Sequence, residues 1–179
     1  HAFLQLHQAL APSIALSLAN SASIVHAPDT HLDYIRPGLM LYGVMPTLEM
    51  AHTNVAVKPI AQLIAPIMAI HTIESGESVG YGATWRATRR SRIATLAIGY
   101  ADGYPRVHAQ SSSVILHNQH APIVGMISMD MLTIDVTDIT QASIGDEVEL
   151  WGPTMPIEQI AQNTNSIAYE LMCRIHTRG

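Results

Sequence analysis

Charge is scarce in this sequence: 13% of its 179 residues are Asp, Glu, Lys or Arg, and the formal net charge is −5. A nucleic-acid binder presents a net basic surface, so no nucleic-acid partner is expected. Cysteine occurs once, at Cys173, which excludes an intrachain disulfide framework and fits a reducing compartment. Lysine also occurs once, at Lys58; every other basic side chain is arginine or histidine. Long apolar runs are missing. The longest, residues 59–70, is too short to cross a bilayer and is interrupted by Gln62, so no membrane span is expected. None of the ten histidines stands in an H-x-H or H-E-x-x-H pattern. A single cysteine cannot build a multi-cysteine zinc cluster either, so no metal site is expected.

What is present is apolar surface, 48% of residues, enough for a core in one large domain or two small ones. The chain opens without methionine on a helix-like stretch, residues 1–10, which reads as the start of a piece of a longer protein. The first fifty residues have an α/β pattern. Residues 14–18 form a short apolar run ending at Asn20-Ser21, both good helix N-cap types. Tyr34-Ile35-Arg36 then meets a turn at Pro37-Gly38 and runs on through Leu39-Met40-Leu41-Tyr42-Gly43. Two strand ends followed by polar or glycine-containing turns suit the last units of a parallel (β/α)8 barrel.

Between residues 45 and 57 the pattern loosens, and the domain boundary is placed there, giving domains 1–56 and 57–179. Beyond it, residues 61–72, 92–98, 113–116, 122–127, 132–136 and 147–150 read as strands. Gly, Asp, Asn and Pro punctuate them at short spacing, which predicts a mostly antiparallel β barrel or sandwich. Residues 156–162 and 166–172 read as short helices, the second leading into a last strand.

Four segments carry the chemistry. Ala19-Asn20-Ser21-Ala22 and Arg36 to Gly43 offer a hydroxyl and backbone N–H groups at strand-to-helix turns, from which phosphate sites are built; each also reads as an N-cap or an ordinary Pro-Gly turn. In Gly99-Tyr100-Ala101-Asp102-Gly103 the tyrosine stands at a strand end beside a turn, poorly placed for the core. It is a candidate acid or base, although a phenol of pKa about 10 needs a nearby cation or cofactor to work at neutral pH. In Ser128-Met129-Asp130-Met131, the Met129 backbone could hold a carboxylate. Arg86, Arg89, Arg90 and Arg92 read as a solvated loop or a dimer-interface feature rather than a phosphate site.

Together these segments resemble the alanine racemase family. The matching text also includes Gly76-Glu77-Ser78-Val79-Gly80-Tyr81-Gly82, Tyr104-Pro105-Arg106, Pro122-Ile123-Val124-Gly125, Gly145-Asp146-Glu147-Val148, Leu150-Trp151-Gly152 and Tyr169-Glu170-Leu171. Each is weak alone, and their order and spacing are highly specific. The resemblance is to the C-terminal half of the fold-type-III enzymes of proteobacterial type. It implies the last strands and helices of a (β/α)8 barrel that binds pyridoxal 5'-phosphate, followed by an antiparallel β domain. It also implies a cytoplasmic homodimer whose sites are shared between subunits, interconverting L- and D-alanine for peptidoglycan.

Carried over residue by residue, the resemblance makes Tyr100 the tyrosine base. Ser21, Gly38, Leu39 and Tyr169 would hold the cofactor phosphate, Arg36 would face the pyridine nitrogen, and the Met129 backbone would bind the substrate carboxylate. Ser17 stands where some members have a histidine that supports the arginine; proteobacterial members share the serine. The family's Schiff-base lysine has no counterpart, because Lys58 lies in Val57-Lys58-Pro59 outside any matching motif. The chain alone is therefore expected to be inactive. The alternatives are a racemase for serine, lysine or a broad set of amino acids, and a non-catalytic association fragment.

Overall fold

A computed structural model describes residues 2–10, 13–47, 49, 55–106 and 112–175, in two units, His1–Val57 and Lys58–Gly179. The first unit is α/β. Helix α1 (Ala2–Leu10) precedes β1 (Ser17–Asn20), α2 (Ser21–His26) and β2 (Tyr34–Arg36). β1 and β2 pair in parallel, with Ser17 opposite Tyr34 and Asn20 opposite Arg36. A parallel pair needs a crossover, and α2 supplies it. Asn20 starts the helix: its side chain accepts the Ser23 N–H at 3.0 Å, satisfying one of the donors that a first helical turn leaves open. The run 39–42 continues not as a strand but as a short 3-10 helix, Gly38–Tyr42, capped by Gly43 in the left-handed region.

The second unit is a six-stranded antiparallel sheet built from β3 (Leu63–Ile73), β6 (Ser91–Leu96), β7 (Ser113–Leu116), β8 (Gln119–Pro122), β9 (Leu132–Asp135) and β10 (Glu147–Trp151). A separate hairpin joins β4 (Ser78–Val79) to β5 (Trp85–Arg86). The sheet order is β8-β7-β10-β3-β6-β9. Its two ends meet where Ile123 bridges Ile134 and the Val124 N–H donates to Thr133 O at 2.9 Å. The sheet is thus closed as a barrel rather than opened as a sandwich, and its edges are paired.

Closure depends on β3. Its first half pairs with β10 (Val148 opposite Ala65) and its second with β6 (Ile70 opposite Ala94). The register shifts between Ile67 and Ala69, so Met68 is the extra residue of a bulge, the usual device for bending a strand around a barrel. Inside lie Ala65, Ile67, Leu96, Leu116, Ile134 and Leu150. Two helices, α3 (Ile157–Asn163) and α4 (Ala168–Arg174), follow the last strand. No helix among the described residues is long and apolar enough to cross a membrane.

One expectation changes, one falls outside the described residues, and the arginine cluster is on the solvated surface as expected. Residues 122–127 do not form a strand: pairing passes from β8 to the single bridge at Ile123, and Gly125 then turns at φ +72°. That apolar run reflects burial of a turn, not extension. The strand expected after the second helix falls on residues 176–179, outside the described residues. The four arginines are engaged within the unit: Arg86 donates to Gly76 O, Arg89 pairs with Asp138 and Arg90 with Glu74. Arg92 donates to the carbonyls of Ile139, Thr140 and Ala142, holding the turn after β9.

A second tie sits at the β7–β8 turn. Asp146 Oδ2 accepts the Ser143 N–H at 2.9 Å and meets His117 Nε2 at 2.7 Å. These two bonds, the backbone one foremost, hold the Asp146 carboxyl below its ordinary range. A carboxyl depressed by folding stabilises the fold above its unfolded pKa of about 3.9 and loses that contribution as pH falls through the lower folded value. Asp146→Asn should therefore lower the melting temperature at pH 7, with the deficit shrinking in thermal scans taken below about pH 4. An equal deficit at both pH values would mean that the charge is not what matters.

Candidate active site

The candidate residues fall into two groups, one in each unit. In the first unit, Ser21, Arg36, Gly38 and Leu39 gather at the C-terminal ends of the two parallel strands. That is the end where (β/α)8 barrels carry their sites. Ser21 directly follows β1 and opens α2, which turns its side chain inward. Its Oγ is buried with no hydrogen-bond partner. A buried hydroxyl without a partner costs about 1–3 kcal/mol, so this atom calls for an acceptor or donor. Gly38 supplies the neighbouring wall. It sits at φ +47°, and a Cβ there would stand 3.7 Å from Ser21 Oγ, narrowing the space in front of the hydroxyl.

The 3-10 helix after Gly38 makes its first bond from the Met40 N–H to Pro37 O. The N–H groups of Gly38 and Leu39 therefore precede any intrahelical acceptor. A buried hydroxyl, a glycine wall and two such N–H groups fit the phosphate of a cofactor. Arg36, the last residue of β2, donates through Nη2 to Leu18 O at 3.2 Å, which ties its guanidinium across to β1.

In the second unit, Tyr100 and Met129 line one cavity of about 270 Å3, with Arg106, Ser128 and Met131. The backbone builds it. The Tyr100 N–H donates to Ser128 O at 3.0 Å, the Ala101 N–H to Met129 O at 2.8 Å, and the Ser128 N–H to Met131 O at 2.8 Å. Gly99 allows this approach: a Cβ there would lie 2.4 Å from Ser128 O and 2.5 Å from Asp130 N. Asp102 caps the short helix Tyr100–Asp102 by accepting the Gly99 N–H at 2.8 Å. Tyr169, on α4, is exposed and does not line this cavity.

A second tyrosine lines the same cavity and was given no role from sequence: Tyr81. It stands between Gly80 and Gly82 at the tip of the β4–β5 hairpin. The base of that hairpin is braced by main-chain contact. A Cβ on Gly80 would be 2.9 Å from Met126 N, and one on Gly125 would be 2.6 Å from Val79 O. On this fixed support Tyr81 is 73% exposed, against 40% for Tyr100. The sequence signal is a tyrosine between two glycines, a turn setting that often leaves a side chain at the surface. Tyr104, close by in sequence, is a different case: burial pushes its hydroxyl well above the ordinary phenol range, so it serves packing and not proton transfer.

Comparison with known proteins gives this geometry a family. Residues 60–179 match the family described as "Alanine racemase, C-terminal domain", and residues 1–46 match "Alanine racemase, N-terminal domain". The alanine racemase of Stutzerimonas stutzeri is 48% identical over 162 residues, covering 90% of this chain and 45% of the relative. The solved alanine racemase of Acinetobacter baumannii superposes with a TM-score of 0.88 at 40% identity, over 98% of this chain and 49% of the other. That of Bartonella henselae, solved with covalently bound pyridoxal phosphate, gives 0.88 at 34% identity, over 98% and 48%. The chain thus spans about half the length of the curated relatives it matches. With a parallel β/α unit matching the end of the N-terminal domain and a closed antiparallel barrel matching the C-terminal one, the chain belongs to the alanine racemase family.

Proposed function

We propose that, in a protein of the relatives' full length, this chain forms part of a pyridoxal-phosphate-dependent racemase that interconverts L- and D-alanine. The observation that carries the reading is the buried, unpartnered hydroxyl of Ser21 beside Gly38 and the N–H groups of Gly38 and Leu39. When bound, the cofactor supplies an electron sink that makes the α-proton of an amino acid labile. Ser21, Gly38 and Leu39 would hold its phosphate, and the motif match would add the Tyr169 hydroxyl as a further donor. Arg36 would face the ring nitrogen; a guanidinium does not readily give up its proton, so it would leave that nitrogen largely unprotonated. The Met129 backbone holds the substrate carboxylate.

Racemisation needs a proton acceptor and donor on each face of the α-carbon. One face falls to a lysine, which Lys58, exposed between the two matched regions, is not placed to be. The other falls to a tyrosine of the cavity. The motif match gives that role to Tyr100. Tyr81, on its braced hairpin, lines the same cavity beside it. Two copies would associate so that the β unit of one completes the barrel site of the other. The setting would be the cytoplasm, and the product D-alanine for peptidoglycan.

The test is D-alanine formation from L-alanine by the full-length protein with added pyridoxal phosphate, next to the 179-residue chain alone. Activity is expected only in the full-length protein. Ser21→Ala should weaken cofactor retention about tenfold, the loss of one hydrogen bond to a charged group, read by equilibrium dialysis. A full-length protein that binds the cofactor but leaves alanine untouched sinks the substrate assignment and turns attention to serine or lysine.

A further inference from the structure

The short helix Tyr100–Asp102 and the loop Ser128–Met131 meet through consecutive peptide units rather than through side chains. The Tyr100 N–H donates to Ser128 O at 3.0 Å and the Ala101 N–H to Met129 O at 2.8 Å. Ser128 O and the Met129 N–H belong to one planar trans peptide, whose two polar groups point in opposite directions. A bond received at Ser128 O therefore aims the Met129 N–H away from the helix. It also polarises that peptide, which strengthens the N–H as a donor.

The same logic runs one peptide further back. The Gly99–Tyr100 peptide gives its N–H to Ser128 O, and its carbonyl receives the Asp102 N–H at 3.2 Å. The Gly103 N–H closes the turn again on Tyr100 O, also at 3.2 Å. Three residues of 3-10 helix held by two bonds of that length are marginal alone. The shortest closure comes from a side chain. The Asp102 carboxylate accepts the Gly99 N–H at 2.8 Å, a bond of the stronger, charge-assisted kind. All of these bonds lie within the second unit, so they do not depend on what covers the cavity.

We propose that the Asp102 side chain is a positioning residue for the substrate carboxylate: it holds the 99–102 turn in the shape that aims the Met129 N–H. The proposal rests on the racemase reading above. Asp102 does not line the cavity and acts only through this relay of peptides. The carboxylate of the amino acid is held alike before and during proton transfer. Loosening its donor therefore weakens substrate and transition state equally, and the loss appears in KM more than in kcat.

The experiment compares Asp102→Ala and Asp102→Asn with the unmodified full-length protein, loaded with pyridoxal phosphate, in racemisation kinetics and in amide hydrogen exchange. In Asp102→Ala the KM for alanine should rise about tenfold, the worth of one hydrogen bond to a charged group, while kcat changes less. The Tyr100 and Ala101 amides should exchange about tenfold faster than in the unmodified protein. Asp102→Asn keeps an acceptor oxygen in the same place and should recover most of both differences. Gly145→Ala strains the same unit at a residue that does not line the cavity, and should leave KM unchanged. A loss of folded protein alone lowers the apparent kcat and leaves KM where it was. The proposal is overturned if KM in Asp102→Ala moves no more than in Gly145→Ala. It is also overturned if the two amides exchange as slowly as before, or if Asp102→Asn is as impaired as Asp102→Ala. If the unmodified protein racemises nothing, the functional reading fails on its own, and the exchange of the Tyr100 and Ala101 amides still decides whether Asp102 holds the loop.

Discussion

If the full-length protein is the proposed racemase and its base is the one the motif match gives, Tyr100→Phe should lower kcat by about 10²–10⁴-fold, the usual worth of a positioned acid or base, while Tyr81→Phe should cost about tenfold or less. The two phenols line one cavity, so removing either hydroxyl perturbs the same space. They differ in support and reach. Tyr81 projects from a hairpin whose base is pinned at Gly80 and Gly125, and most of its ring lies outside the unit that carries it. Tyr100 is held closer in, its own N–H spent on Ser128 O and its short helix capped by Asp102. A second readout separates chemistry from packing. With one face's phenol gone and the other face's base intact, α-proton exchange with solvent should persist from one enantiomer while racemisation is lost. A merely disturbed cavity would slow both enantiomers alike. If Tyr81→Phe produces the asymmetric exchange and Tyr100→Phe does not, the base is Tyr81 and the motif match fails.

Gly103→Ala should be the most damaging small substitution in the second unit. Gly103 closes the helix Tyr100–Asp102 at φ +97°, where a side chain is strained whatever the space. A Cβ there would also lie 2.3 Å from Arg174 O and 2.5 Å from its carbonyl carbon, both main-chain atoms that cannot swing aside. Backbone strain and overpacking together should cost about 3 kcal/mol or more. In a unit of this size that lowers the melting temperature by roughly 10 °C. Gly145→Ala is the matched control: its φ is +92°, but nothing lies within 4 Å of the added atom. It should cost only about 1–2 kcal/mol, the conformational share. Equal losses in the two variants would show that contact with the end of α4 contributes nothing.

Much of the architecture was readable from period and punctuation. Strand β7 falls where Val114, Ile115 and Leu116 meet a turn, and β3, β6, β9 and β10 lie within a residue or two of their expected places. The failures have a common cause. β8 is Gln119-His120-Ala121-Pro122, with one buried position in four, so its pairing with β7 rather than its hydrophobicity makes it a strand. The next residues, Ile123 and Val124, are buried beside a turning glycine, and burial alone looked like extension. Of the apolar run 39–42, only Leu39 is buried, packed inward from a 3-10 helix, while Leu41 and Tyr42 are exposed. Short apolar runs do not distinguish these cases.

The site was legible in part for an equally physical reason. Ser21, Arg36 and Gly38 declare themselves through local chemistry: a cap, a strand end and a left-handed turn, all within the span of one β/α unit. Tyr81 and Tyr100 are joined only by main-chain packing of the 78–83 hairpin on the 124–126 turn and of Gly99 on residues 128–130. Those contacts are backbone to backbone and leave no side-chain pattern beyond the glycines that permit them. The glycines were visible; what they touch was not.

The loop Ser128–Met131 owes its position to carbonyls and amides: Ser128 O, Met129 O and Met131 O receive the bonds that fix it, and none depends on a side chain of that loop. Its outward-facing side chains can therefore be exchanged without moving the main chain that would hold a carboxylate. Such an arrangement separates what must stay constant from what is open to selection. Changes at positions 129 and 131 would alter the size and polarity of the space offered to a substrate side chain, while the proposed grip on the part common to all α-amino acids would stay unchanged. A family built this way can diversify its substrate range one rim residue at a time.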